Sequence, residues 1–373
     1  MGLFRFLLAI AVISAHVGPI FGLRFVPGPV VVQTFFIISG FYMSLVLNQK
    51  YNSFWLFISN RLLRIYPTYF LILLLSLGAY TALYFAYGKN SIPLFQAYSD
   101  SKVGLSTLIG LGITNLTILG QDVFLFMGYD TGAGQLYFTK NFWATSPQLW
   151  HLCVIPPAWT LSVEIIFYFL APFILKKNIK LAVLVMAISI GLRIWCYYGM
   201  GLTGDPWTFR FFGNELFFFT LGNVSYLIYE KVKTYTVPTW INHSILVAVV
   251  FITLNYLDFL PDKSIIFQFT VRDIVYFAVI TVAGPFLFGY LKDSHVDRFI
   301  GDLTFPVYLS HWLIHKAFFL MPYQYLKNSL SVATATIILS VVIRLFVDVP
   351  VNSYREKRFL KAKKTEELAP VTG

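Results

Sequence analysis

The chain has 373 residues, of which 57% are hydrophobic, 18% aromatic and only 12% charged. Soluble domains carry about 25% charged residues, so this composition excludes an ordinary soluble protein. It indicates a polytopic membrane protein, in which aromatic side chains suit lipid-facing helices and interfacial belts. The formal net charge of +11 does not indicate a nucleic-acid partner, because the basic residues follow the loops. We therefore expect the lipid bilayer, and no nucleic acid, as a partner.

Ten hydrophobic segments approach the length of about 20 apolar residues that a helix needs to cross a bilayer. They lie at about residues 6–23, 29–47, 66–87, 158–175, 181–199, 211–229, 240–257, 274–291, 301–321 and 329–347. This pattern predicts an all-α fold, a polytopic membrane bundle of about ten transmembrane helices.

The distribution of Lys and Arg predicts the orientation of this bundle. With a cytoplasmic N-terminus, the cytoplasmic segments hold 17 of these residues and the outer segments hold 7. Because basic residues favour the cytoplasmic side, we expect both termini in the cytoplasm. The expected organisation is a membrane domain at 1–350, with an outer loop at about 88–157, and a basic cytoplasmic tail at 351–373. A mildly apolar stretch near 104–120 is typical of a re-entrant or interfacial segment, and the aromatic residues of the outer loop favour an ordered cap.

The first segment carries a histidine, which is costly inside a membrane unless it faces protein or water. Residues 6–23 contain no Asp, Glu, Lys or Arg, and Arg5 and Arg24 flank them. Arg5 and His16 are eleven residues apart, so they share one helical face and lie about 16 Å apart along the axis. A long ligand with an anionic head and a reactive tip could use both residues.

Two arginines, Arg61 and Arg64, lie at the cytoplasmic start of the third segment, in the sequence NRLLRIYP. Residues three apart are neighbours on a helix surface. Two guanidinium groups there form a fork that matches phosphate. The alternative is simple anchoring of the helix by positive charges on the cytoplasmic side.

The second segment contains Ser39 and Gly40 in the sequence FFIISGF. Two small residues allow another helix or a ligand to approach the backbone closely. Helix packing by itself is a sufficient explanation of this pair.

The fourth segment carries a carboxylate, Glu164, about six residues inside its outer start near Trp159. His16 lies about six residues from the outer end of its own segment, so the two side chains are expected at the same depth. A carboxylate beside an imidazole orients the ring and raises its basicity. His16, Arg193 and Arg210 are therefore the expected partners of Glu164, and a purely structural polar contact is the alternative.

Two further polar positions lie in the sixth and ninth segments. Arg210 and Glu215 open the sixth segment, and His311 lies near the middle of the ninth. Together with His16 and Glu164 they indicate a polar cavity in the middle and outer part of the bundle.

Metal and disulfide patterns are weak in this sequence. Cys153 and Cys196 are the two cysteines, and two unpaired apolar thiols is the favoured interpretation, although both lie on or near the side where a disulfide is chemically allowed. No His/Cys cluster has metal-ligand spacing, so we expect no metal.

Six motifs follow one another in the order of a known family. They are R-x10-H at Arg5 and His16, FFIISGF at 35–41, R-x-x-R at Arg61 and Arg64, WTLSVE at 159–164, YLSH at 308–311 and DVP at 348–350. The chain resembles membrane acyltransferase family 3, the bacterial integral-membrane acyltransferases that modify extracytoplasmic glycans. Asp348 replaces the glutamate that is usual in the last motif.

The resemblance implies a donor, an acceptor and a location. The donor is an acyl-CoA, most often acetyl-CoA, taken from the cytoplasm. The acceptor is a hydroxyl of a lipopolysaccharide, an exopolysaccharide or a lipid-linked sugar, and the location is the bacterial inner membrane. The residues expected to act are His16 and Glu164 in catalysis, Arg5, Arg61, Arg64, Tyr66 and Ser39 in donor binding, and Trp159, Arg210, Glu215 and His311 in acceptor binding.

Several alternatives stay open at this point. His16 is either a general base that takes the acceptor's proton or a nucleophile that carries the acyl group briefly. Two other functions are a secondary transporter, whose membrane charges line a permeation path, and a non-catalytic accessory of envelope glycan export.

Overall fold

The computed structural model describes residues 1–88, 93–100, 102–175, 177–259 and 262–368. Parts of the expected outer loop (89–92 and 101), Lys176 of the charge count and the end of the expected tail (369–373) lie outside the described residues. The described residues form 14 α-helices with two short hairpins.

The helices are, in chain order, α1 Gly2–Val17, α2 Gly28–Gln49, α3 Phe54–Tyr87, α4 Pro93–Asp100, α5 Leu105–Thr117, α6 Trp159–Ile174, α7 Ile179–Ile194, α8 Phe212–Val232, α9 Thr239–Leu254, α10 Tyr256–Phe259, α11 Val271–Leu291, α12 His295–Leu320, α13 Ser329–Ile343 and α14 Val349–Leu368. Each of the ten predicted segments overlaps one of them. Among the described residues, six helices are long and apolar enough to cross a bilayer: α2, α3, α6, α7 with its continuation, α11 and α13 with its continuation. The prediction of an all-α polytopic membrane bundle is confirmed, while the number of crossings and the side of the termini stay predictions.

The expected outer loop contains regular structure. Helix α5 occupies the mildly apolar stretch, and β1 Met127–Asp130 pairs antiparallel with β2 Gln135–Phe138. The hairpin turn is held by Asp130, whose carboxylate accepts hydrogen bonds from the backbone N–H groups of Gly132 at 2.8 Å and Ala133 at 3.0 Å. The N–H groups of Ala133 and Gly132 lower the pKa of Asp130. A second small hairpin joins β3 Ser264–Ile266 to β4 Phe269–Thr270.

The first helix is shorter than its hydrophobic segment. It ends at Val17, because Gly18 has a φ of 126°, outside the helical region, and Pro19 disfavours the helical conformation in the residue before it. His16 therefore lies in the last turn of α1, not about six residues from the end of a longer span. Its side chain is exposed.

Helices α2 and α8 approach each other closely. A Cβ atom on Gly40 would lie 1.9 Å from the carbonyl oxygen of Phe219, and one on Gly222 would lie 2.0 Å from that of Ile37. The small pair at Ser39 and Gly40 thus serves helix packing through its glycine. Ser39 instead donates a hydrogen bond to Glu164 on α6.

Helix α3 begins twelve residues earlier than the predicted segment, at Phe54. The side chain of Ser53 caps it by accepting a hydrogen bond from the backbone N–H of Leu56 at 3.4 Å. Arg61 and Arg64 consequently lie on continuous helix. Cys153 and Cys196 are buried free thiols.

Candidate active site

A cavity of about 240 Å³ opens between α1, α2, α3, α6 and α12. It is lined by Arg5, Val32, Phe35, Phe36, Ile38, Ser39, Tyr42, Met43, Arg61, Arg64, Ile65, Thr160, Leu161, Glu164, Tyr168, Asp302, Thr304, Phe305 and Tyr308. Its walls are largely apolar, with three arginines that come from two separate places in the sequence. We name the region formed by Arg5, Arg61 and Arg64 the arginine end.

The arginine end is positively charged, and the carboxylates of Asp302 and Glu164 lie within electrostatic range of Arg5 without forming an ion pair with it. Arg61 is only 5% exposed, and its Nε has no hydrogen-bond partner. The guanidinium of Arg61 lies 5.7 Å from the ring centre of Phe57, and that of Arg5 lies 5.7 Å from the ring centre of Tyr42. Within the described part of the chain, no carboxylate forms an ion pair with Arg5, Arg61 or Arg64. A buried cation without a partner is costly, so this region is suited to an anionic ligand.

Two carboxylates also line the cavity, but each is engaged elsewhere. Asp302 forms an ion pair with Arg344 at 3.0 Å. Glu164 accepts hydrogen bonds from Ser39 Oγ at 2.8 Å and from the hydroxyl of Tyr168 at 2.7 Å. Both hydrogen bonds are accepted by the same carboxylate oxygen, Oε1 of Glu164.

The structure corrects the expected partners of Glu164. Its contacts are with Ser39 and Tyr168 and not with His16, Arg193 or Arg210. The expectation rested on equal depth from the outer surface, and it failed for two reasons. Helix α1 ends early, which moves His16 to the outer end of its helix. Depth also does not specify direction around a helix axis, and Glu164 faces α2.

The end of the cavity away from the arginines is closed by aromatic and hydroxyl groups. The hydroxyl of Tyr308 donates to the carbonyl of Pro157 at 3.0 Å and lies 2.8 Å from Thr160 Oγ1. The ring of Phe35 meets that of Tyr308 edge to face, with centroids 6.1 Å apart. Tyr308 is one turn before His311 on α12, so the next layer beyond this wall contains histidines.

His16 and His311 form a pair of imidazoles behind that wall. Their ring centroids are 5.1 Å apart. His16 Nδ1 lies 3.0 Å from the carbonyl oxygen of Val12, and His311 Nδ1 lies 2.6 Å from that of Tyr308. A carbonyl oxygen only accepts hydrogen bonds, so both Nδ1 atoms donate a proton. Both Nε2 atoms of the neutral rings then carry a lone pair.

The two histidines differ in exposure. His311 is completely buried, and its Nε2 has no hydrogen-bond partner. His16 is exposed, and its ring meets that of Trp312 edge on, with centroids 5.6 Å apart. His16 thus has exposed surface, while His311 lies in the protein interior. His16 is not one of the described residues that line the 240 Å³ cavity.

Trp159 and Arg210, expected on the acceptor side, are neighbours. The guanidinium of Arg210 lies 4.5 Å from the ring centre of Trp159 and 4.8 Å from that of Phe209. Arg210 also donates to both oxygens of Asp205, at 2.7 and 3.0 Å. The charge of Arg210 is therefore paired with Asp205, and its guanidinium plane stacks on aromatic rings. These contacts hold Arg210 in place as part of an aromatic surface.

Two of the expected site residues have other contacts. Glu215 is completely buried and forms an ion pair with Arg193 at 3.0 Å. It also accepts a hydrogen bond from Gln33 at 3.3 Å. These contacts join α2, α7 and α8, and a role of Glu215 in acceptor binding stays a prediction. Tyr66 points away from the cavity and donates from its hydroxyl to the carbonyl of Thr117 at 2.5 Å, which joins α3 to α5.

The cavity includes residues that sequence reasoning did not single out as site residues. Tyr42 and Asp302 line it beside Arg5, and Tyr168 binds Glu164. Tyr168 lies four residues after Glu164, which is the spacing of neighbours on one helical face, so the sequence did contain a signal for this pair. Tyr42 and Asp302 become cavity residues only through the packing of α2 and α12.

The family comparison agrees with this geometry. A family model described as an acyltransferase domain matches residues 1–347. Comparisons with curated proteins and with solved structures return no match. Because the matched residues include nearly the whole membrane bundle and every site residue expected from the sequence, the protein belongs to acyltransferase family 3 and is an acyltransferase.

Proposed function

We propose that the protein moves an acyl group, in the first place acetyl, from cytoplasmic acyl-CoA to a hydroxyl of an extracytoplasmic or lipid-linked glycan. The observation that carries this proposal is the arginine end, where Arg5, Arg61 and Arg64 have no carboxylate partner in the described part of the chain. Coenzyme A supplies phosphates for these guanidiniums, which bind phosphate with two parallel hydrogen bonds. The bacterial inner membrane is the location that fits such a donor and acceptor.

The shape of the cavity suits the rest of the donor. From the arginine end the walls are mostly apolar up to Tyr308 and Phe35, which accommodates an extended thioester arm. Arg5 and His16 lie on α1, about 16 Å apart along the axis at 1.5 Å per residue. The arm of coenzyme A has a comparable length. Tyr308 and Phe35 stand between the cavity and the imidazoles, so the transfer requires this wall to open.

The proposed chemistry uses Nε2 of His16. It removes the proton of the acceptor hydroxyl while the hydroxyl oxygen attacks the thioester carbonyl carbon. The carbon–sulfur bond then breaks, and the leaving thiolate takes the proton back from the imidazolium. The products are an ester on the glycan and free coenzyme A. The bond from His16 Nδ1 to the carbonyl of Val12 supports this role, because it keeps the lone pair on Nε2.

His311 supports His16 in this mechanism, and Trp159 with Arg210 forms part of the acceptor side. An aromatic surface held rigidly by a stacked guanidinium suits the apolar face of a sugar ring. Glu164 fixes Ser39 and Tyr168 in the wall of the donor cavity, which makes it a positioning residue rather than the partner of His16.

The experiment is acyl transfer in membranes supplied with acetyl-CoA labelled in its acetyl group. Glycan from cells with and without the protein is compared by mass spectrometry, and a fixed acyl mass increment is expected only with the protein. If glycan is never labelled and an unmodified solute accumulates instead, the transporter alternative is correct. If His16 is the acyl carrier, labelled protein accumulates when the acceptor is withheld.

A further inference from the structure

Helix α14 lies beyond the residues matched by the family model, and it packs along α3. At its start, Asp348 accepts a hydrogen bond from Thr68 at 2.5 Å. Farther along, Arg358 donates to Ser59 Oγ at 3.1 Å. The two helices are therefore antiparallel, and α14 covers the first half of α3, which carries the arginines of the cavity.

This packing brings a fourth arginine to the arginine end. Arg355 precedes Arg358 by three residues, so both lie on the face of α14 that contacts α3. It falls between the two anchoring contacts, within electrostatic range of Arg64 and Arg61. One nitrogen of Arg355, Nη1, donates to Asn352 Oδ1 at 2.6 Å, but its Nε is buried and has no hydrogen-bond partner. Like charges that are gathered in this way repel each other unless an anion lies among them.

A second cavity, of about 450 Å³, continues along the same face of α14. Phe359 lies one turn after Arg355 and lines this cavity together with Lys363. The opposite side is formed by the end of α2, the connection that follows it and the first turn of α3, through Gln49, Lys50, Asn52 and Leu56. The ammonium of Lys50 lies 4.5 Å from the ring centre of Phe359. The ring of Tyr51 packs against Phe359 with centroids 5.6 Å apart. The second cavity thus combines aromatic rings with cations.

Such a combination matches one chemical class, a phosphorylated nucleoside. Bases stack on aromatic faces, and phosphates pair with Lys and Arg. The order of these side chains along α14 also matches the order of groups in the donor. In acyl-CoA, the pyrophosphate lies between the thioester arm and the adenosine. Arg355 lies beside the arginine end, and Phe359 and Lys363 follow at increasing distance from the 240 Å³ cavity.

We propose that the inward face of α14 and the connection between α2 and α3 form the nucleotide subsite of the donor. Arg355 binds the pyrophosphate together with Arg61 and Arg64, and the second cavity holds the phosphorylated adenosine, with Lys50 and Lys363 as the cations of its lining. The inference rests on the proposed function, because it assumes that the donor is an acyl-CoA. It assigns a binding role to a tail that would otherwise be a basic anchor.

Anionic lipid headgroups are the competing ligand for a basic helix beside a membrane. The orientation of the side chains favours the donor. Arg355 faces α3 with its Nε buried, whereas Lys357 and Lys364 are exposed on α14. A helix that served only as a lipid anchor would direct its cations outward, as these two lysines are directed.

The test compares Arg355→Ala with Lys357→Ala, a matched loss of one charge on the same helix. The protein is reconstituted in bilayers of neutral phosphatidylcholine, and initial rates are measured over a range of acetyl-CoA. We expect the KM for acetyl-CoA to rise about 10-fold in Arg355→Ala with kcat nearly unchanged, as befits a lost contact to a phosphate. Lys357→Ala should keep the parental KM, and Arg355→Lys should restore part of the loss.

The probe for the second cavity is acetyl-CoA that lacks the 3′-phosphate. Lys50→Ala should raise the KM for acetyl-CoA but not that for the dephosphorylated donor. A parental KM in Arg355→Ala, an equal rise in Lys357→Ala, or a rise that occurs only in bilayers with anionic lipid overturns the inference. If the parental protein transfers no label from acetyl-CoA, the proposed function itself has failed. A working parental enzyme with an unaffected Arg355→Ala variant rejects the nucleotide subsite alone.

Discussion

His16 and His311 lie with their ring centroids 5.1 Å apart, and each ring donates its Nδ1 proton to a carbonyl of its own helix. This arrangement gives both imidazoles the same tautomer and leaves both Nε2 atoms with a lone pair. Only His16 is exposed. The pair therefore has one exposed member and one that is held inside the bundle, and the proposed mechanism assigns the general base to the exposed member.

His16→Ala should reduce acyl transfer by about 10²–10⁴-fold, the usual contribution of a general acid–base group. Transfer from labelled acetyl-CoA is measured per folded molecule in membranes. The control is His243→Ala, since His243 lies on α9 and bonds to the hydroxyl of Tyr290 at 2.7 Å, away from the cavity. A parental rate in His16→Ala at normal abundance would show that this histidine is not the base.

Arg61→Met should weaken donor binding without weakening the fold. Replacing Arg61 removes charge-assisted hydrogen bonds to phosphate that are worth about 1.5–3 kcal/mol, so the KM for acyl-CoA should rise about 10–100-fold. The ligand-free protein should be at least as stable, because a buried guanidinium with an unpartnered Nε is removed. Thermal unfolding in detergent and initial rates test both parts. Arg24→Met, at an exposed pair with Asp258, is the control, and an unchanged KM in Arg61→Met would return this residue to simple anchoring.

Glu164 and Ser39 should act as a unit. Because Ser39 Oγ donates to Glu164 at 2.8 Å, the losses in Glu164→Gln and Ser39→Ala should not add, with a coupling of about 0.5–3 kcal/mol. This double-mutant cycle compares kcat/KM for acyl-CoA in the parental protein, the two single variants and the double variant. Additive losses would show that Glu164 and Ser39 act independently. A shift in the pH dependence of transfer in Glu164→Gln alone would instead restore the partnership with His16 that the sequence suggested.

Gly40→Ala should disrupt the contact between α2 and α8. A Cβ atom there would lie 1.9 Å from a backbone carbonyl oxygen, so the helices have to separate, at a cost of about 3 kcal/mol. Gly289→Ala on α11 is the matched control, since nothing lies within 4 Å of its Cβ position. Thermal unfolding in detergent compares the two. Equal stability of both variants would mean that α2 and α8 do not pack as described.

Glu215→Ala should act through stability and not through chemistry. It leaves Arg193 charged and unpaired in a buried position, which costs about 3–5 kcal/mol. The double variant Arg193→Met with Glu215→Leu should recover much of this loss, and its rate per folded molecule should be close to parental. A folded double variant without activity would give Glu215 the role in acceptor binding that the sequence analysis expected.

Much of the architecture follows from the sequence alone. In lipid, every backbone N–H and C=O group has to be satisfied within the segment, so a long apolar stretch has no alternative to a helix, and all ten segments overlap helices. The spacing of residues along the sequence also determines which of them share a face of a helix. Arg61 and Arg64 are neighbours because they are three residues apart on α3, and the small residue Gly40 marks a close helix contact.

The tertiary structure decided which side chains meet. Glu164 was expected beside His16 on the basis of depth, but rotation about the axis of α6 directs it to Ser39. Glu215 forms its ion pair with Arg193, and Arg358 meets Ser59 only because α14 folds back along α3. Such pairings depend on how helices far apart in sequence cross and rotate. When an apolar helix in lipid rotates about its axis, the free energy of contact with the lipid hardly changes. The rotation is therefore determined by helix packing and by polar partners.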